Sequence, residues 1–149
     1  MFRTKILNLA VLIVWFFVIF LLSSEPSSLS SSRSNEVVQI IQSVNTGLVN
    51  IPDISFFVRK LAHIIAYFIL GVLMFLVVRA YTPKARKAII LSVLFVFIYA
   101  VTDEFHQTFV PGRSGEVRDV LIDTTAGTAG VSACYFAARF MGVKKSASY

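Results

Sequence analysis

Apolar residues run along this chain in four long stretches, separated by short polar clusters. From 6 to 22 no side chain is charged, a run of about 17 residues at the short end of what crosses a bilayer as a helix. The second stretch, 56–78, carries Arg59, Lys60 and His63 near its start. The third, 88–109, passes through IILSVLFVFIYAV into Asp103, Glu104 and His106, and the fourth, 117–140, is entered through Asp119 and Asp123. None shows the strict alternation of a barrel strand, and backbone groups in lipid must be satisfied within the segment. The expected fold is all-α: one membrane domain over 1–149, an integral bundle of four transmembrane helices.

The connections differ in character. Residues 23–55 form the expected outer loop, opening with a Ser-rich stretch, Ser23 to Ser34, that reads as a flexible linker. Within it, Val37, Ile41, Val44 and Leu48 share a helical face opposite Gln39, Gln42, Ser43 and Thr46. That pattern suits an amphipathic helix over 36–49, either lying in the outer interface or packed on the bundle. The loop RAYTPKARKA is short, basic and turn-forming at Pro83, as a hairpin between the second and third spans requires. The first stretch follows Arg3 and Lys5 and lacks a small-x-small cleavage pattern, so it is read as an uncleaved anchor.

Composition supports the membrane reading: 56% of residues are apolar and 15% charged, where an ordinary soluble domain carries about a quarter charged. Charge then orients the spans. With the N-terminus inside, nine of the 14 basic residues fall on the cytoplasmic side, and all eight carboxylates fall outside or in the outer ends of spans. The expectation is therefore N-in/C-in. The net charge of +6 is then a signature of topology, with anionic inner-leaflet lipid as counter-charge, rather than of nucleic-acid binding. Cys134, the lone cysteine, leaves no intrachain disulfide to form and reads as a small packing residue.

Helical spacing gathers the polar residues. Lys60, His63, Tyr67 and Gly71 recur every three or four residues as one stripe. Tyr99, Asp103, His106 and Gln107 share a face flanked by Glu104, and the Pro111-Gly112 turn delivers Arg113. In the fourth span Asp119 and Asp123 lead into Ala126, Gly130, Ala133 and Ala137, a small-residue seam suited to close helix contact. Both histidines of the chain stand in these clusters. Intramembrane ionisable groups cost several kcal/mol each, about 2.5–3.5 on insertion scales, so the clusters are expected to converge on one polar pocket opening outward.

RKLAH followed by Tyr67, then DEFHQTFVPGR, then Asp119 and a glycine-bearing fourth span, resemble the VanZ-like family of small bacterial membrane proteins, whose founding member is associated with teicoplanin resistance. The resemblance covers about 59–130, and the DExHQ-to-PGR segment is its most specific part. The chain departs from the family pattern at Asp123, commonly Asn, at Ala126, commonly Gly, and at Ala66, often Glu. The resemblance implies a multi-pass bacterial plasma-membrane protein with an envelope function linked to glycopeptide tolerance. It supplies no reaction to transfer.

Several chemistries suit the polar residues. A pocket for a lipid headgroup, a lipid-linked cell-wall precursor or a glycopeptide would use Lys60, Tyr67, Gln107, Arg113 and Asp119 as binding groups. An enzyme on a phosphate-bearing lipid-linked substrate would use His63, His106, Asp103 and Glu104 as acid-base residues, with Lys60 and Arg113 holding the anion. No cofactor is required, but a divalent metal held by His63, His106 and carboxylates from Asp103, Glu104 or Asp119 is a third arrangement. The fourth is a salt-bridge network that pins the helices and does nothing else. The bilayer is the one partner common to all four, and the sequence leaves the oligomeric state open.

Overall fold

The computed structural model describes residues 2–44 and 54–146. Five helices account for nearly all of them: α1 (Phe2–Ser23), α2 (Ser27–Val44), α3 (Ile54–Tyr81), α4 (Ala85–Gln107) and α5 (Val117–Ser146). No strand occurs among the described residues. Three of the helices, over Arg3–Ser23, Phe57–Tyr81 and Ala85–Gln107, are long and apolar enough to cross a membrane. Their outward faces are covered with large apolar side chains such as Leu7, Phe17, Leu61 and Ile90, which only lipid would solvate without cost. This is a membrane protein. α5 has 30 residues, but Thr124, Thr125, Gly127, Thr128, Gly130 and Ser132 dilute its apolarity, and it is not one of the three.

α3 is the hub, touching α1, α2, α4 and α5, with its most extensive contact on α5. α3 and α5 run parallel, because Lys60 pairs with Asp119, His63 lies beside Asp123, and Gly71 meets Gly127 in the same order along both chains. Glycine permits this contact: a Cβ on Gly71 would sit inside the van der Waals envelope of the Gly127 carbonyl, and one on Gly130 would collide with the Phe68 carbonyl. Small residues let the backbones approach where lipid supplies no hydrophobic push between helices. The seam itself departs from the expected one. Ala126 and Gly130 are buried, but Ala133 and Ala137 are exposed, and the buried line turns instead through Asp123, Gly127 and Val131. Spaced 4, 3 and 4, the expected positions stay within about 60° of one face on a helix of 3.6 residues per turn, so it is the contact with α3 that moves around α5 onto the 123–127–131 line.

α1 is tied on differently. The Trp15 indole N–H donates to the Ala66 carbonyl at 2.9 Å, and the Tyr99 hydroxyl donates to the Phe16 carbonyl at 2.8 Å. An indole too deep for the interfacial belt is thereby satisfied inside the bundle. At the basic end, the Lys5 ammonium lies 5.0 Å from the Tyr81 ring centroid, closing α1 against the α3–α4 hairpin.

The Ser-rich stretch is helical from Ser27, not a flexible linker. Pro26 supplies the carbonyl that accepts both the Leu29 and Ser30 N–H groups at 3.1 Å, which starts the first turn, and α2 packs along α3. Tertiary contact has overridden the weak helix propensity of serine. The side chains of the face expected at Val37, Ile41, Val44 and Leu48 lie outside the described residues.

Replacing Gly71 or Gly130 with Ala should force α3 and α5 apart and cost about 1–3 kcal/mol of stability. Ala129→Val, at an exposed position of α5, should stay within about 0.5 kcal/mol. Thermal unfolding of the detergent-solubilised protein checks both, and indistinguishable melting temperatures for all three variants would mean that the glycine contact does not set the helix spacing.

Candidate polar site at one end of the bundle

The polar clusters meet where α1 and α4 end and α3 and α5 begin, because α1 and α4 both run antiparallel to α3 and α5. The α3 stripe spreads across two partners. The Lys60 ammonium donates to Asp119 Oδ2 on α5. One turn deeper, His63 Nδ1 lies 3.6 Å from Asp123 Oδ2, beyond an ordinary hydrogen bond. One turn deeper again, the fully buried Tyr67 donates its hydroxyl to Asp103 Oδ2 of α4 at 3.1 Å. The His63 and Tyr67 rings stack with centroids 6.4 Å apart, and Tyr67 and Tyr99 follow at 6.2 Å. A helix repeat of 3.6 residues therefore converts a sequence stripe into a ladder of polar rungs.

Glu104 and Arg113 build the turn that closes this end. Glu104 Oε1 accepts from the Gln107 amide at 3.1 Å, and Oε2 accepts from the Glu116 backbone N–H at 3.0 Å, where α5 is about to begin. A carboxylate at that place satisfies one of the amides a helix start leaves open and opposes the positive end of the helix dipole. Arg113 Nε donates to the Glu25 carbonyl at 2.8 Å, while its two Nη groups donate to Gln107 Oε1 and the Leu22 carbonyl at 3.3 Å. Gly112 permits the turn with φ at 73°, a conformation that suits a residue without Cβ. Burial first, and Arg59 second, push the Arg113 guanidinium down from its ordinary value, opposed by Asp103, Glu25 and Glu104. A cation so held gains from a nearby anion.

Two cavities open here and share a wall. One, about 160 Å³, is polar and lined by Arg59, Lys60, His63, Gln107, Arg113, Ser114, Glu116, Asp119 and Asp123 among others. The other, about 190 Å³, runs between α1, α2 and α3 and is lined mainly by Ile19, Leu22, Val58, Ala62 and Ala66. Arg59, His63 and Arg113 line both.

Seven sequence-selected residues, Lys60, His63, Tyr67, Asp103, Gln107, Arg113 and Asp119, thus contribute to one connected region, with Glu104 bracing it from the turn. His106 is not drawn in. Its ring packs on Phe20 of α1 with centroids 4.7 Å apart, and its Nδ1 is buried without a hydrogen-bond partner. On α4 it lies 100° around from Gln107, which turns it toward α1. Among the described residues, those whose donor atoms approach one another as metal ligands would are His63, Asp103 and Asp123, all within 4.8 Å, rather than a set containing both histidines. Two residues were not selected from sequence. Asp123 carried a signal, the i,i+4 spacing from Asp119 that puts both on one face. Arg59 carried none, since beside a membrane boundary it reads as a cation snorkelling to the interface; instead its Nε is buried without a hydrogen-bond partner.

A family model described as VanZ/LLP1 matches residues 8–139, nearly the whole chain. No curated protein and no solved structure matches it.

Tyr67→Phe keeps the ring and removes the donor to Asp103, so a buried carboxylate oxygen loses its partner at a cost of about 1–3 kcal/mol. In an Asp103→Asn background the same change should cost less, with a coupling of about 0.5–3 kcal/mol. A double-mutant cycle read by thermal unfolding measures it, and simple additivity would show that the hydrogen bond contributes nothing specific.

Proposed function

Because the chain belongs to the VanZ/LLP1 family, we propose that it works at the cell envelope by holding the anionic headgroup of a membrane amphiphile, a lipid or a lipid-linked cell-wall intermediate. The observation that carries this reading is the junction of the two cavities. A phosphate-bearing amphiphile has a charged head and an apolar chain, and here a polar cavity and an apolar groove meet at two guanidinium groups, Arg59 and Arg113. Arg113 spends its hydrogen bonds on neutral acceptors, and guanidinium is the side chain best matched to a phosphate oxygen pair. Lys60 is engaged by Asp119, so the arginines are the first choice for the head.

In this reading α5 is a fourth span, both termini lie in the cytoplasm, and the polar site belongs to the extracytoplasmic side of the bacterial plasma membrane. The clustering of Arg3, Lys5, Arg79, Lys84, Arg86, Lys87 and Arg139 away from the polar site supports it. Binding of a cell-wall intermediate at that leaflet would link the protein to glycopeptide tolerance, teicoplanin included, by altering how much of the intermediate an antibiotic can reach.

The binding claim is tested with full-length protein in phosphatidylcholine nanodiscs, offered a fluorescent phosphatidylglycerol or a polyprenyl diphosphate. Arg59→Gln and Arg113→Gln should each weaken retention about tenfold, as expected for loss of one charge-assisted contact. Equal retention of a zwitterionic analogue, or retention indifferent to both substitutions, would overturn it. Topology is tested separately in a Cys134→Ala background: an impermeant thiol reagent on intact cells should label Ser31→Cys and spare Ser146→Cys. Labelling at 146 would put the C-terminus outside.

A further inference from the structure

At the inner end of the polar cavity two carboxylates are almost wholly buried, Asp103 at 4% and Asp123 at 2% exposure. Lone charges of this kind are costly in a membrane interior. Asp103 receives one hydroxyl, from Tyr67, and Asp123 Oδ2 lies 3.6 Å from His63 Nδ1 without a hydrogen bond. Lys60 is turned to Asp119. Were both carboxylates ionised, a single imidazole, even protonated, would balance one of the two charges.

We propose that His63, Asp103 and Asp123 form a binding site for a divalent transition-metal ion of the Zn²⁺ or Mn²⁺ type. One donor atom from each lies within 4.8 Å of the other two. Ligands held about 2.0–2.2 Å from one ion stand at most about 4.4 Å apart, so closing the cluster takes a small inward movement of side chains. One nitrogen and two carboxylate oxygens make a donor set suited to these ions rather than to the soft metals that thiolates select. An independent observation points the same way. Asp123 Oδ2 is buried with no hydrogen-bond partner, and Asp123 and His63 both line the polar cavity, so an ion has a route in. Three protein ligands leave a coordination position open toward that cavity, and Tyr67 acts behind the ligands, holding the Asp103 carboxylate in place.

The site is separable from the headgroup reading, because the metal alone is the probe. Full-length protein is purified in detergent with chelator, exchanged into metal-free buffer, offered Zn²⁺ or Mn²⁺, desalted and assayed for metal by mass spectrometry. The wild type should retain about one equivalent, while His63→Ala and Asp123→Asn fall more than about tenfold below it. His106→Ala, which alters the histidine packed on Phe20, should retain what the wild type does. Gel filtration and circular dichroism establish that the variants fold. A second reading needs no variant: the melting temperature of the wild type should climb and saturate as either free ion is raised. Absence of retained metal together with a flat melting curve, retention by Asp123→Asn equal to wild type, or equal loss from His106→Ala and His63→Ala, would each overturn the assignment.

Discussion

The backbone contact between α3 and α5 governs the geometry of the polar end. Two parallel helices that touch at Gly71 and Gly127 have no freedom to slide, since any shift drives a side chain into the glycine gap. The register fixed there is carried outward one turn at a time, bringing His63 level with Asp123 and Lys60 level with Asp119. The ion pairs are consequences of the contact rather than its cause. A partly exposed lysine–carboxylate pair stabilises little on its own, whereas close packing of small residues is how helices associate once the solvent is as apolar as their surfaces.

The same ordering explains what could be read from the chain. The stripe Lys60, His63, Tyr67, Gly71 is local geometry, fixed by the helical repeat, and all four residues contribute to the α3 face described above. His106 fails for a different reason. Its spacing from Asp103 and Gln107 leaves it at the edge of their face, and whether an edge position turns inward or toward a neighbour depends on where α1 stands. α1 is placed by Trp15 and Tyr99 reaching carbonyls 51 and 83 residues away, which no local periodicity encodes. The Ser-rich stretch is a similar case: composition describes an isolated segment, but α2 has α3 to lean on. Asp123 was visible as a position but not as a participant, because its environment is supplied by His63 and Asp103 from two other helices.

The turn after α4 has the opposite character. Glu104, Gln107 and Arg113 are close in sequence and bonded in series, with Glu116 just beyond them, so DEFHQTFVPGR is legible as a unit. Its reach is longer than its sequence, however. Arg113 also binds carbonyls at Leu22 and Glu25, and Ser27 N–H donates to Pro111 at 3.2 Å. One loop thereby closes the α1–α2 corner as well as the α4–α5 corner, and holds the two cavities against each other.

The apolar cavity lies between α1, α2 and α3 rather than at the centre of the bundle, and Leu22 on its wall is partly exposed on the outer surface. On the headgroup reading proposed above, an amphiphile would enter a groove in that place sideways, through the acyl chains, rather than down a water-filled shaft. The quantity that governs its occupancy is then mole fraction in the leaflet, not molarity in the medium. A scarce amphiphile confined to one leaflet meets such a groove by two-dimensional diffusion, so modest intrinsic affinity is compatible with high occupancy, and dilution of the surrounding bilayer with inert lipid lowers occupancy without touching a single contact.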